Sequence, residues 1–165
     1  MKTITDHLAE YAAYHRDRRN IATHLVGIPM IVVALQILLS RPYWGFDGWF
    51  ITPALIVAVL ASVFYLRLDR PLGILMTLLL ALTVILGLQV AALATGVWLT
   101  WGIGLFVIGW LFQFIGHYFE GRKPAFVDDM MGLAIGPLFV VAEVVFMLGG
   151  KKALHQAIEA RFAQK

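Results

Sequence analysis

Three histidines stand at the ends of apolar runs, His15 and His24 near the start of the chain and His117 well after its middle. The first two belong to the cluster His15-x4-Asn20-x3-His24-x2-Gly27-x-Pro29, and the third to Gln113-x2-Gly116-His117-x2-Glu120-Gly121-x2-Pro124-Ala125. Neutral imidazole is the commonest metal ligand in proteins. Histidine and carboxylate with coordination positions left open suit a non-haem ferrous iron that activates oxygen. Asn20 and His24 share a helix face, as do Gln113, His117 and Glu120. A His and a Glu three residues apart can bind one metal from a single helix. His15 and His24 are about 180° out of phase on a straight helix. One site can hold both only if the chain bends near residues 16–20, or if other helices close around them. A lone interfacial histidine more often anchors a helix end than binds anything. Three at one membrane face, with Glu120, Asn20 and Gln113 among them, favour a metal site. His7 and His155 fall in polar surface helices, where the ordinary reading stays ahead.

The elements that must position these residues are apolar helices. The chain has 165 residues, 61% apolar and 14% charged, whereas soluble domains average roughly half apolar and a quarter charged. Between Pro71 and Gly116 there is no Asp, Glu, Lys, Arg or His. A spanning helix needs about 20 mostly apolar residues, so this stretch has room for two. The expected fold is all-α, a polytopic integral membrane helical bundle in a single domain, 1–165. Four crossings are assigned to 21–39, 50–66, 72–93 and 97–115. A fifth apolar run, 131–148, contains Gly136-Pro137 and carries Glu143. A glutamate at mid-membrane costs a few kcal/mol, so this run reads as re-entrant or laterally packed.

Residues 3–19 and 151–165 read as amphipathic terminal helices, the first capped by Thr5 or Asp6. Asp129 is the expected cap of the fifth apolar helix. Residues 44–49, with Gly48 among them, read as an aromatic, glycine-broken interfacial loop. Gly102, Gly104 and Gly109 are expected to allow close helix packing.

Lys and Arg set the orientation. Lys2, Arg16, Arg18, Arg19, Arg67, Arg70, Arg122 and Lys123 fall on one side if the first four runs all cross, and Arg41 alone falls on the other. The N terminus is therefore expected in the cytoplasm. A basic tail (Lys151, Lys152, Arg161, Lys165) keeps the C terminus there too. The same topology brings His15, His24 and His117 to one cytoplasmic face.

With no cysteine, disulfides, zinc–thiolate sites and thiol catalysis are excluded. The net charge of +3 lies outside the apolar runs, which suits membrane lipid headgroups or an acidic ligand. No soluble basic domain remains for nucleic acid. The first twenty residues lack the apolar core of a cleaved signal peptide. A bacterial inner membrane is the expected host.

On these two clusters, followed by Asp128, Pro137 and Glu143 and joined by Tyr65-x3-Asp69, the chain resembles the family of the yeast endoplasmic-reticulum 2-hydroxy fatty acid dioxygenase. The similarity covers nearly the whole chain. It implies a ferrous-iron-dependent, oxygen-consuming α-oxidation, in which a 2-hydroxy fatty acid loses its carboxyl carbon as carbon dioxide and becomes one carbon shorter. His15, His24 and His117 match the family's histidines and Glu120 its following glutamate, and the expected roles are metal ligands for the histidines and a fourth ligand or an orienting group for Glu120. Asn20 and Gln113 would hydrogen-bond beside the metal, and Arg122 or Arg19 would meet the substrate carboxylate. The chain departs from yeast-like members at Arg16-Asp17, where those often carry a second His or an Asn.

Two other function classes stay open at this point. One is a different lipid-modifying metalloenzyme, though the close-spaced HxxxH boxes of hydroxylases and desaturases are absent. The other is a non-enzymatic membrane protein, a small transporter or metal-binding assembly factor. Against a transporter, the second to fourth runs offer few polar groups away from the membrane face that gathers Gln113, chiefly Thr, Ser62 and Gln89. Homo-oligomerisation is compatible with either class and has no sequence signature here.

Overall fold

The computed structural model describes residues 2–47 and 49–163; Gly48 of the aromatic segment and Lys165 of the basic tail lie outside the described residues. The described residues are all-α apart from one small hairpin. The elements, in order, are α1 (Ile4–Ala12), α2 (Arg18–Ser40), β1 (Trp44–Phe46), β2 (Trp49–Ile51), α3 (Pro53–Leu68), α4 (Arg70–Ala91), α5 (Thr95–Glu120), a 3-10 turn (Ala125–Val127), α6 (Met131–Met147) and α7 (Lys152–Ala163). They form two compact units, one of residues 1–25 with 113–165, the other of residues 26–112.

Among the described residues, three helices are long and apolar enough to cross a membrane, α2, α4 and α5, or up to four spans if the bent pair α6 and α7 counts as one. The second expected crossing is shorter than its apolar run. α3 has 16 residues, about 24 Å of helix against a hydrocarbon core of about 30 Å. The run is cut at its start because residues 49–51 pair with 44–46 as an antiparallel hairpin, Trp44 opposite Ile51 and Phe46 opposite Trp49. The expected loop is therefore a hairpin. Asp47 at its turn has φ +45°, the left-handed conformation that two-residue Asp-Gly turns require. Thr52 then caps α3 by accepting the Leu55 N–H, and Pro53 follows at the first helical position.

In the second unit α3 and α4 pack as a tight helical pair around Asp69, which ends α3 and caps α4 through the Leu72 N–H. Gly73 permits the approach, since a Cβ there would press on the Leu66 and Tyr65 backbone. In the same unit, Cβ atoms at Gly102 and Gly109 would meet Leu38 and Ile31, whereas one at Gly104 would meet nothing within 4 Å. The first two glycines therefore sit at close contacts; Gly104 does not.

The first unit departs from the sequence reading in three places. The N-terminal helix stops at Ala12, well short of residue 19, and its cap is Thr3, in a reciprocal capping box with Asp6. Asp6 is thus the partner of the cap, and Thr5 lies inside the helix. α6 continues through Gly136-Pro137 without a break; the sharp bend comes later, where α6 and α7 meet at 111°. Gly149, at φ +81°, turns the chain there. Asp129 takes the Met131 N–H at 2.9 Å, satisfying a free donor at the start of α6. The C-terminal helix packs against α1, with Arg161 donating to Asp6 at 2.7 Å.

Candidate metal centre

The centre lies in the first unit and begins with the end of α1. The chain leaves the helix after Ala12, turns through residues 13–17 and re-enters helix at Arg18. Asp17 caps α2 by accepting the Arg19 N–H at 2.8 Å. This turn supplies the bend that the nine-residue separation of His15 and His24 requires. α5 arrives beside it and ends at Glu120, where Gly121 at φ +68° donates its N–H back to the carbonyls of His117 and Tyr118.

His15, His24 and His117 come together there, with ring centroids 4.4, 5.0 and 4.9 Å apart. One nitrogen from each lies within 4.8 Å of the others, the one such group of candidate metal-ligating side chains among the described residues. All three are buried, His15 and His24 to 1% exposure. The His15 Nδ1–H donates to the Tyr11 carbonyl at 2.7 Å, and the His24 Nδ1–H donates to the Asn20 carbonyl at 2.9 Å. A carbonyl can only accept, so these bonds fix both tautomers. Each ring then presents a bare Nε2, and the two Nε2 atoms face each other at 3.0 Å. His117 adds a buried Nδ1 with no hydrogen-bond partner.

Two lone pairs at that distance need a cation between or beside them. A proton is disfavoured, because burial holds the His15 imidazole down to about pKa 4 against the smaller upward pull of the Tyr11 carbonyl. Three bare imidazole nitrogens, two of them oriented through Nδ1–H to backbone carbonyls, fit the donor set and outer support of a protein metal site.

Clearance for this approach comes from Gly116. A Cβ at that position would collide with Thr23 Oγ1 and Asn20 Oδ1 and press on His24 Nδ1.

Glu120 stands one helical turn beyond His117 but outside the trio. Its carboxylate accepts the backbone N–H of Arg16 at 3.0 Å to each oxygen, the N–H of Asp17 at 2.8 Å and the Asn20 side-chain amide at 3.0 Å. In this arrangement it pins the turn that carries His15. The Asn20 amide also donates to the Tyr14 carbonyl at 3.2 Å, while its Oδ1 is buried without a partner. Gln113 is buried to 5% exposure and leaves Nε2 unpaired.

The two arginines differ. Arg19 is tied to Asp17 by contacts of 2.8 and 3.2 Å and lies 4.5 Å over the Phe119 ring. Arg122 is exposed and donates through one nitrogen to the Ala13 carbonyl at 3.0 Å. Neither guanidinium bonds to the three histidines.

Sequence reasoning passed over Tyr11, whose ring stacks on His15 with centroids 4.2 Å apart and planes 6° apart. Their spacing, four residues, was the available signal. The clearance role of Gly116 was equally unread, although the residue adjoins His117. His155 stacks on Phe146 at 4.6 Å, away from the trio.

The profile of a family described as 2-hydroxy-palmitic acid dioxygenase Mpo1-like matches residues 1–148. The chain is also 34% identical over 162 residues, 94% of its own length and 87% of the relative's, to the 2-hydroxy-palmitic acid dioxygenase MPO1 of Saccharomyces cerevisiae. No solved structure matches it. With near-complete coverage on both sides, the chain belongs to the Mpo1-like family.

Proposed function

We propose that this protein is a ferrous-iron-dependent dioxygenase that shortens 2-hydroxy fatty acids by one carbon, working at the cytoplasmic face of a bacterial inner membrane with both termini in the cytoplasm. The observation that carries the reading is the buried trio of imidazoles in a chain whose relative is named a 2-hydroxy-palmitic acid dioxygenase. In the overall change one dioxygen is consumed. The bond between the carboxyl carbon and the hydroxyl-bearing carbon breaks, and the carboxyl carbon leaves as carbon dioxide. The hydroxyl-bearing carbon is oxidised to a new carboxyl, and the remaining oxygen leaves as water.

His15, His24 and His117 would hold the metal. Three imidazoles also suit zinc, but zinc has no redox chemistry, so an oxygen-consuming reaction favours a redox metal, for which we propose iron. Bound there, ferrous iron supplies the redox partner for dioxygen and a Lewis acid for the hydroxyl and carboxylate of the substrate. The chain's own residues do the rest. Tyr11 and Asn20 carbonyls keep His15 and His24 in the ligating tautomer. Glu120 holds the His15 turn as an orienting group rather than a ligand, which its four accepted contacts support. Asn20 Oδ1 and Gln113 Nε2, both buried and unpaired, are assigned to the polar end of the substrate. Arg122 has the rest of its guanidinium fork for the substrate carboxylate, whereas Arg19 is committed to Asp17. The apolar helices leave the acyl tail in lipid.

The test is anaerobic loading with Fe(II), then air-saturated buffer and 2-hydroxypalmitate. Oxygen uptake matched by a fifteen-carbon fatty acid in the mass spectrum supports the reading. Absence of both overturns it.

A further inference from the structure

Tyr11 grips His15 twice. Its carbonyl takes the Nδ1–H at 2.7 Å, and its ring lies face to face on the imidazole, 4.2 Å away and within 6° of parallel. The first contact is made by backbone and survives any substitution; the second belongs to the aromatic side chain. One hydrogen bond leaves a ring free to swing about the bond axis. A flat partner at stacking distance removes that freedom, because tilting the imidazole would break the stack. Phe139 of α6 backs the pair, 4.9 Å from Tyr11 and 5.6 Å from His15. Tyr11 is itself 8% exposed, and it lines a cavity of about 260 Å³ together with Tyr14, Met131 and Ile135.

We infer that Tyr11 is a positioning residue of the metal centre. Its ring fixes the plane of His15, so that Nε2 is held on the line to His24, and it keeps the ligand apart from the adjoining cavity. The inference rests on the reading of the trio as a metal centre. It assigns the work to the flat ring and none to the hydroxyl. A tyrosine serving as a proton donor, by contrast, would depend on the hydroxyl.

Cobalt(II) is the probe, because its visible absorption reports ligand geometry without turnover. The full-length protein is titrated with cobalt(II) as wild type, Tyr11→Phe, Tyr11→Leu and Leu8→Ala. Leu8 is a fully buried residue of the same helix and serves as the purely structural control. Tyr11→Phe is expected to match wild type in spectrum and to bind within twofold. Tyr11→Leu is expected to shift the visible bands and to weaken binding about 10-fold or more, the range seen when outer supports of a ligand are lost. Leu8→Ala is expected to lower the melting temperature and leave the spectrum unchanged. Tyr11→Leu with wild-type bands and affinity overturns the inference, and so does Leu8→Ala with the same spectral shift as Tyr11→Leu. Wild-type protein that binds no cobalt(II) removes the metal centre itself, and the inference with it.

Discussion

His15 and His24 face each other through bare Nε2 atoms 3.0 Å apart, each having committed its Nδ1–H to a backbone carbonyl. Neither ring can relieve the other without giving up that bond. The pair could hold a metal ion, and His117 brings a third nitrogen within 4.8 Å. What surrounds the pair is built to keep it in this state, and each support can be removed singly.

Gly116→Ala adds a methyl group where Thr23 Oγ1 and Asn20 Oδ1 already stand. The helix ends carrying His24 and His117 must then separate. The expected cost is about 1–3 kcal/mol of stability, seen as a lower melting temperature, together with loss of metal binding in a titration. Unchanged metal affinity in this variant contradicts the tight approach described for α2 and α5 at this level.

Glu120→Gln keeps the shape of the side chain but replaces one accepting oxygen with an amide that donates. The Arg16 N–H then keeps one of its two acceptors, while with the amide nitrogen at the Oε2 position the Asp17 N–H and the Asn20 amide lose theirs. Metal affinity is expected to fall about 10–100-fold, with the three imidazole nitrogens still bound to the metal. Disappearance of an oxygen ligand from the metal's spectroscopic signature in this variant would identify Glu120 as a direct ligand instead.

Glu159→Gln acts on the same turn from the outside. Glu159 pairs with the Arg16 guanidinium at 2.9 and 3.1 Å, with both side chains nearly half exposed. Exposed ion pairs are worth about 0.2–1 kcal/mol and are screened by salt. A small loss of stability that fades in high salt is expected, with metal affinity within twofold. A large loss of affinity would mean that the arginine side chain, and not Glu120, holds the turn.

Acid should destabilise the metal-free protein through His15. The unfolded chain takes up this proton near pH 6.5, whereas the folded site, mainly through burial, takes it up only at about 4. A depressed folded value means that the unfolded state binds more protons in between. The stability present above pH 6.5 is therefore lost progressively as pH falls towards 4. His15→Gln is expected to lose less stability than wild type across that window. Parallel pH profiles for the two proteins would show that His15 is not the group responsible.

Much of the fold can be read from the placement of charge. The uncharged stretch Pro71–Gly116 becomes α4 and most of α5, and the charged turn at Arg67–Arg70 becomes the sharp corner held by Asp69. The bend that lets His15 meet His24 follows from their spacing. Hydrophobicity hides the hairpin, because residues 49–51 are apolar and continue into α3 without a change of composition; the Asp47-Gly48 pair was the turn signal that should have split the run. Gly136-Pro137 misleads in the opposite sense, since α6 accommodates the proline and bends only at Gly149. In the candidate site, residue types point to the three histidines. The partners of Glu120 are backbone N–H groups more than a hundred residues earlier in the chain, and no side-chain pattern encodes them. The stacking of Tyr11 on His15 depends on where α1 ends, which local propensity places poorly.

The proposed iron site needs His15, His24 and His117 together. Iron content per chain of the purified protein and of His24→Ala, each loaded anaerobically with Fe(II) and freed of excess, tests it most directly. About one iron per wild-type chain and almost none in the variant, which still folds, is the predicted result. No retained iron in the wild type, or equal iron in both proteins, contradicts it.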